Sequence, residues 1–162
     1  ILRKGYLART PAKAQFAPLF NYAHEAVPRL RELQAAARAP VAVCGQWMVM
    51  PHGTRYDRKR TRACPFVAFE LYDPDAERYL DPRRARELLE GAGFALPDLL
   101  APHPCSYEHL AELARGTSSW SSRGEPEPRE GLVVKVGDGT YLTHRYKMVR
   151  PGFVPGLYFP NK

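Results

Sequence analysis

The chain has 162 residues, of which 44% are hydrophobic and 25% charged, a composition typical of one globular domain. It contains no apolar run near the roughly 18 residues that a membrane-spanning helix needs, no collagen repeat and no sustained heptad. Its 24 basic and 17 acidic residues give a formal net charge of +7. Unless this excess is only a compositional bias toward arginine, it favours a polyanionic partner, whether nucleic acid, nucleotide or anionic lipid.

The first half of the chain predicts a hairpin, a helix and two strands. Residues 1–10 alternate loosely between apolar and polar, which indicates a short strand or hairpin. Between Phe16 and Ala37 the apolar residues recur at helical spacing, so we expect a helix that Pro28 kinks. The runs Val41–Met50 and Phe66–Tyr72 are rich in β-forming residues and predict two largely buried strands.

Between those two strands lies a strongly basic segment, residues 55–62, with the sequence RYDRKRTR. It holds five cations and one carboxylate in eight residues. Like charges at this density must stay solvated, so the segment predicts an exposed loop.

The second half predicts two helices and a hairpin. Asp81 precedes a proline and can cap a helix over Arg83–Glu90, and Ser106 can begin another. Two runs rich in β-forming residues, Gly131–Val136 and Tyr141–Val149, flank Gly-Asp-Gly, a strong hairpin signal. The sum is an α+β fold in which antiparallel sheets carry flanking helices.

Three charged residues near this hairpin suggest chemistry. Glu130 opens the apolar run EGLVVKV, while Arg145 and Lys147 are two residues apart and so share one face of a strand. A carboxylate beside two cations is suited to a nucleotide phosphate and its divalent metal. The alternative is that the strands are half exposed and these are ordinary surface charges.

Other chemistry is not indicated by the sequence. The three cysteines, Cys44, Cys64 and Cys105, are odd in number and lack CxxC spacing, which argues against a disulfide framework and against a zinc site. A reducing, cytoplasmic location fits this cysteine usage best. The chain begins at Ile1 without an initiator methionine, so we expect its N-terminus to be processed or truncated.

Four segments, in order, resemble motifs of the ATP-dependent RNA ligase family. The four segments are GQWM from Gly45, PFVAFELYD from Pro65, EGLVVK from Glu130 and RYKMVRP from Arg145. The closest type is the phage enzyme that seals nicks in double-stranded RNA, with its bacterial relatives. The resemblance implies a nucleotidyltransferase (ATP-grasp-like) ligase core over residues 1–162. The expected activity joins RNA 3′-OH and 5′-phosphate ends through lysine–AMP and RNA–adenylate, with ATP and Mg²⁺ or Mn²⁺.

On the nucleoside side, the resemblance implies roles for four residues. Arg3 would contact the nucleotide phosphate or the RNA end. Gln46 stands where the family usually has a ribose-binding glutamate. Phe69 would stack on adenine, and Glu70 occupies the acidic position beside it.

On the phosphate side, the resemblance implies that Arg145 and Lys147 bind the ATP phosphates. Lys135 belongs to the same ATP-binding set. Glu130 would help to position the divalent metal through water. Positioning and cationic stabilisation dominate this kind of transfer, which agrees with the residue types found.

The expected partners are RNA ends or a nicked RNA duplex, and no membrane. The cations of the basic segment would contact RNA phosphates, or else form a solvated tip without a ligand: Arg55, Arg58, Lys59, Arg60 and Arg62.

The chain departs from the family pattern in two ways. None of its six lysines lies in a Lys-x-Asp-Gly motif, so we expect the nucleophilic lysine upstream of Ile1, and a fragment that does not adenylylate itself. Gln46 in place of glutamate loses a charged acceptor worth about 1 kcal/mol. Two alternatives stay open: a non-catalytic module that binds RNA ends or nucleotide, and another covalent nucleotidyltransferase such as a DNA ligase or capping enzyme.

Overall fold

The computed structural model describes residues 2–3, 6–7, 17–49, 53–122, 124 and 126–155, with only the backbone described at 2–3, 6–7 and 17. Its elements in chain order are β1 (Leu2–Arg3), β2 (Tyr6–Leu7), α1 (Ala17–Glu25), α2 (Val27–Ala37), β3 (Ala42–Trp47), α3 (Arg58–Ala63), β4 (Phe66–Asp73), β5 (Arg78–Tyr79), α4 (Pro82–Gly91), α5 (Tyr107–Arg115), β6 (Gly131–Gly137) and β7 (Leu142–Val149).

The N-terminal elements follow the sequence prediction closely. β1 and β2 pair as an antiparallel hairpin. The long helical stretch is broken at Ala26 into α1 and α2, and Pro28 lies in the first turn of α2. A proline is tolerated there because the first turn has no use for its missing N–H. The break therefore falls just before the proline.

A three-stranded antiparallel sheet, in the order β3-β4-β5, forms the centre of the fold. A bulge interrupts the β3–β4 pairing between Cys44 and Gly45, and a Cβ at Gly45 would overlap the Phe66 ring. β4 is largely buried, but β3 is mostly half-buried and Gln46 is exposed. The prediction of a largely buried first strand was thus wrong, since β3 lies at the edge of the sheet that the described residues form.

The main core lies where α2 and α4 meet β4. Leu33, Leu71 and Leu89 are completely buried there. α4 is capped as predicted, because Asp81 Oδ1 accepts hydrogen bonds from the backbone of the first helical turn at 3.0 and 3.4 Å. A smaller cluster of Met48, Val67 and Trp120 is buried separately.

The basic segment contains a short helix, α3, and is not a loop throughout. Asp57 caps it by accepting from Arg60 N at 2.9 Å, and Thr61 turns into the protein. The cations stay exposed, as predicted. The loop prediction failed because one capping carboxylate and one buried side chain are enough to order a helical turn beside repelling charges.

β6 and β7 form a separate two-stranded antiparallel sheet, called the ribbon below, as the hairpin signal predicts. Asp138 holds its turn by accepting from the backbone of Thr140 and Tyr141, and Gly139 has a φ of +93°. Val133 is 50% and Val136 is 45% exposed, which agrees with the alternative of half-exposed strands that the sequence left open. Among the described residues no third strand joins the ribbon, so much of its surface is uncovered.

The fold class is α+β with antiparallel sheets and flanking helices, as the sequence predicts. Within the described ranges, no helix combines the length and apolar character that crossing a bilayer requires.

Candidate functional site

The site is centred on a buried carboxylate in β4. The side chain of Glu70 is only 7% exposed, and it receives Lys135 Nζ at 3.1 Å and Arg145 Nη2 at 2.7 Å. Lys135 and Arg145 are direct partners in the β6–β7 register, so both point from the same face of the ribbon toward the sheet. We call these three residues the Glu70 cluster, and they join the ribbon to the sheet.

Burial strengthens the electrostatic interactions among the charges of this cluster. Burial lowers the pKa of Lys135, and the neighbouring negative charge of Glu70 opposes that shift. Two cations compensate one buried carboxylate, as a charge removed from water requires. Arg145 also lies over the ring of Tyr79, with its guanidinium carbon 4.8 Å from the ring centre. Its orientation is therefore fixed from two sides.

Phe69 adds an exposed aromatic surface to the cluster. Its ring is 38% exposed. Lys135 Nζ donates to the backbone oxygen of Phe69 at 2.7 Å and lies 5.4 Å from the ring centre. Gln46 is exposed on β3 and pairs with Val67 in the β3–β4 register. An aromatic face thus lies on the strand that carries Glu70, and an amide lies on the neighbouring strand.

A second ion pair lies further along the ribbon. Lys147 Nζ contacts Glu130 Oε1. The side chain of Lys147 is 59% exposed, more than any member of the Glu70 cluster, and that of Glu130 is 36% exposed, against 7% for Glu70. Burial raises the pKa of the nearby Tyr56 phenol, and the negative charge of Glu130 adds to that shift. The predicted common face is confirmed, because the strand register places Lys147 on the side of the ribbon that carries Arg145.

Asp81 ties the ribbon turn to the rest of the protein. While one oxygen caps α4, Oδ2 accepts from Gly139 N at 3.0 Å, and Asp81 N donates to Thr140 O at 2.9 Å. A Cβ at Gly137 would overlap the Asp81 carboxylate, so glycine allows this close approach. Sequence reasoning identified only the cap. The fixed position of the ribbon could not be derived from it.

The five cations of the basic segment fall into two groups. Arg55 pairs with Glu127, and Arg60 donates to Ser119 O at 2.6 Å while covering the Trp120 ring at 4.1 Å. These two arginines hold local structure. The exposed side chains with no ion-pair or hydrogen-bond partner in the described part of the chain are Arg58, Lys59 and Arg62.

The remaining candidate residues can be placed only in part. Arg3 belongs to β1, and its side chain lies outside the part of the chain that the structure describes. Among the described residues no three His, Cys, Asp or Glu side chains gather into a group able to hold a metal. Any metal near Glu130 would have to receive most of its ligands from elsewhere.

Sequence reasoning missed the central role of Glu70, which it treated as a neighbour of Phe69. A signal was available. A glutamate inside the apolar run FVAFELY must be paired when the strand is buried. Its partners lie 65 and 75 residues later in the chain and cannot be identified from local pattern.

A scan of the chain against protein-family models matches residues 1–149 to the RNA ligase model. The matched region includes every candidate residue from Arg3 to Lys147. No curated protein and no solved structure gives a significant match to the chain.

Proposed function

Since the chain belongs to the RNA ligase family, we propose that it serves an ATP-dependent RNA ligase that joins RNA 3′-OH and 5′-phosphate ends. The observation that carries this proposal is the common face of the ribbon. It presents Lys135, Arg145 and Lys147, and Lys135 Nζ lies 5.4 Å from the centre of the exposed Phe69 ring. Three cations and one aromatic face match the phosphates and the base of a nucleotide.

The three cations would have graded tasks toward the phosphates. Lys147 is the most exposed, and exposed ion pairs are worth little, so a phosphate could replace Glu130 as its partner at small cost. Arg145 is 41% exposed and keeps guanidinium donors beyond the one given to Glu70. Lys135 is held most firmly. We propose that Glu70 acts by orienting Lys135 and Arg145.

The nucleoside would lie against Phe69. Stacking on its exposed face would bury the ring and fix the plane of an adenine. The amide of Gln46 can accept a hydrogen bond from a ribose hydroxyl, though without the strength of a carboxylate. Selection of ATP would then depend mainly on the stacked base and the phosphates.

A divalent metal fits the site only if it arrives with the nucleotide. Mg²⁺ is commonly bound by one or two carboxylates together with substrate phosphates and water. Glu130 supplies one carboxylate, and Lys147 already neutralises it. Bound there, Mg²⁺ or Mn²⁺ would neutralise phosphoryl charge as the nucleotidyl group is transferred.

The proposed reaction has three steps. A lysine displaces pyrophosphate from ATP to form lysine–AMP, the RNA 5′-phosphate takes the AMP and frees the lysine, and the 3′-OH attacks the RNA–adenylate with release of AMP. The sequence contains no Lys-x-Asp-Gly, so we do not expect residues 1–162 alone to carry out the first step. The third step needs no lysine–AMP. It requires the RNA–adenylate, the 3′-OH and groups that stabilise phosphoryl charge.

RNA would be held in part by the three cations of α3 that have no ion-pair or hydrogen-bond partner among the described residues. Arg58 and Arg62 are four residues apart and share a face of the short helix, with Lys59 beside them. Exposed cations of this kind bind phosphates without reading sequence. We propose RNA ends or a nicked RNA duplex as the substrate.

The decisive experiment supplies the intermediate that the chain cannot make. Residues 1–162 are incubated with magnesium and a nicked RNA duplex whose 5′-phosphate already carries AMP, and sealed strand is measured on a denaturing gel. We expect sealing that Lys147→Ala removes and that Arg31→Ala leaves intact, since Arg31 is an exposed cation of α2 away from the site.

The same assay discriminates between the alternatives. A non-catalytic module is the second candidate, favoured by Gln46, and it would bind the RNA without sealing it. Equal sealing of a DNA nick would contradict an RNA ligase. Unchanged sealing by Lys147→Ala would mean that the phosphates bind elsewhere.

A further inference from the structure

A cleft lies away from the Glu70 cluster, between α1 and the C-terminal ends of β3 and α3. Its volume is about 290 Å³, and its walls include Tyr22, Trp47 and Arg62. We propose that this cleft binds one unpaired base of the RNA strand whose phosphates cross α3. The proposal rests on the proposed function for the identity of the polymer, but concerns a site separate from the nucleotide site.

An aromatic pair forms part of the cleft wall, and a base would stack on the ring face that this pair leaves open. The rings of Tyr22 and Trp47 meet edge to face, with centres 5.9 Å apart and planes 60° from parallel. Both side chains are half-buried, so neither is fully removed from solvent. The volume is at the lower end of the range for small-molecule pockets, about 300 Å³ and above, which suits one base. Bases of any sequence can stack on aromatic side chains.

The polar lining can contact the edge of a base. Asn21 and Glu25 both line the cleft and lie four residues apart on α1, hence on the same face. An amide can donate and accept, and a carboxylate accepts from an amino group. These groups complement the donors and acceptors that unpaired bases expose on their edges.

The arginines of α3 beside the cleft suit a nucleic acid better than an apolar ligand, although Glu25 adds one negative charge to the lining. Arg62 lines the cleft, and within the described residues its guanidinium has no hydrogen-bond or ion-pair partner. Arg58 lies four residues before it on α3. A strand with a phosphate on Arg62 could therefore place the adjoining base against Trp47, combining a backbone contact with stacking as single-strand binding proteins do.

Tryptophan fluorescence tests the cleft directly. Of the two tryptophans, Trp120 is buried and Trp47 lines the cleft. A short oligoadenylate is titrated into the chain without ATP, and inorganic polyphosphate is titrated in parallel. We expect quenching by the RNA only. Trp47→Phe should lose the quenching and keep most of the affinity, because phenylalanine can still stack.

Trp47→Ala should bind the RNA roughly tenfold more weakly, the size of one lost base–aromatic contact. Tyr107→Ala is its matched control, since Tyr107 is 70% exposed on α5. Circular dichroism verifies that each variant is folded. Affinity unchanged in Trp47→Ala, quenching by polyphosphate equal to that by RNA, or no RNA binding at all would overturn the proposal.

The fluorescence and affinity measurements can be interpreted separately from ligase activity. Quenching at Trp47 without sealing of pre-adenylylated RNA would keep the cleft and refute the ligase. Sealing with no effect of Trp47→Ala would keep the ligase and refute the cleft.

Discussion

The ribbon and α3 both carry clustered cations, but they hold them in opposite ways. Each ribbon cation has a carboxylate partner, with Lys135 and Arg145 on the buried Glu70 and Lys147 on Glu130. The cations Arg58 and Lys59 of α3 are exposed, and no ion pair joins either to another described residue. The same charge is therefore fixed in one region and solvated in the other.

This difference separates two kinds of phosphate recognition. Cations held in a poorly solvated cluster keep their geometry and are screened little by salt, which suits the positioning of reacting phosphates. Cations on an exposed helix are strongly screened and follow a polymer without fixed register. We expect the ribbon to position chemistry and α3 to supply general affinity.

The largest effect should follow from removal of the buried carboxylate. Glu70→Gln preserves shape but leaves Lys135 and Arg145 without their counter-charge. Loss of one partner from a buried ion pair costs about 3 kcal/mol or more, so the free energy of unfolding should fall by that amount. Urea unfolding followed by circular dichroism measures it.

Glu130→Gln is the matched control, because it breaks the more exposed pair with Lys147. Its cost should stay below about 1 kcal/mol. If the two variants were equally stable, the Glu70 cluster would hold its cations no more firmly than the exposed Glu130–Lys147 pair.

The second effect concerns α3 and the salt dependence of RNA binding. The triple variant R58A/K59A/R62A removes three exposed cations of α3, whereas Arg60 is left because it holds Ser119 and Trp120. The slope of log affinity against log salt for single-stranded RNA should become shallower by about 2, given roughly 0.7 per phosphate contact. Fluorescence anisotropy at several salt concentrations measures the slope.

A triple variant on exposed cations outside the basic segment, R31A/R83A/R115A, serves as the charge-matched control. It should leave the slope nearly unchanged. Equal slopes in the two triple variants would mean that RNA senses the net charge of the chain and not α3.

The sequence predicted those parts of the fold whose signals are local. The Gly-Asp-Gly turn specified the ribbon, and Asp81 before Pro82 specified α4. α3 was missed because the repulsion among its cations is visible in the sequence, whereas the inward packing of Thr61 is not. Burial of β3 was overestimated, since β propensity does not reveal which strand becomes an edge.

The candidate site was predicted residue by residue but not as an arrangement. Resemblance to known ligases pointed to Lys135, Arg145 and Lys147, and the alternation of strand side chains placed two of them on one face. The ion pairs between Glu70 and two of these cations depend on how the ribbon packs against the sheet. Docking of this kind is decided by tertiary packing, which local patterns do not encode.

A smaller effect should follow from loosening the ribbon at its turn. Asp81→Ala removes the α4 cap and the bond from Gly139 N, and should cost about 2 kcal/mol of stability. Ser106→Ala removes the cap of α5 and the hydroxyl's bond to the exposed Glu108 carboxylate, and should cost about 1 kcal/mol. The difference between the two, measured by urea unfolding, is the contribution of the ribbon contact. No difference would mean that the turn is held by its other bonds.

The smallest effect should report the environment of the Glu70 cluster through a neighbouring thiol. Cys44 lies directly opposite Glu70 in the β3–β4 register, and burial raises its pKa, with the charge of Glu70 adding to the shift. Alkylation requires the thiolate, so Cys44 should react several-fold more slowly with iodoacetamide at neutral pH than the exposed Cys105. Its rate should also keep rising to higher pH, because a raised pKa delays ionisation. Mass spectrometry of the alkylated peptides measures both rates.

In Glu70→Gln, if it remains folded, Cys44 should react faster, since one cause of its raised pKa is removed. Equal rates for Cys44 and Cys105 in the unmodified sequence would show that water reaches the cluster freely, and would remove the ground for treating the ribbon cations as more firmly held than those of α3.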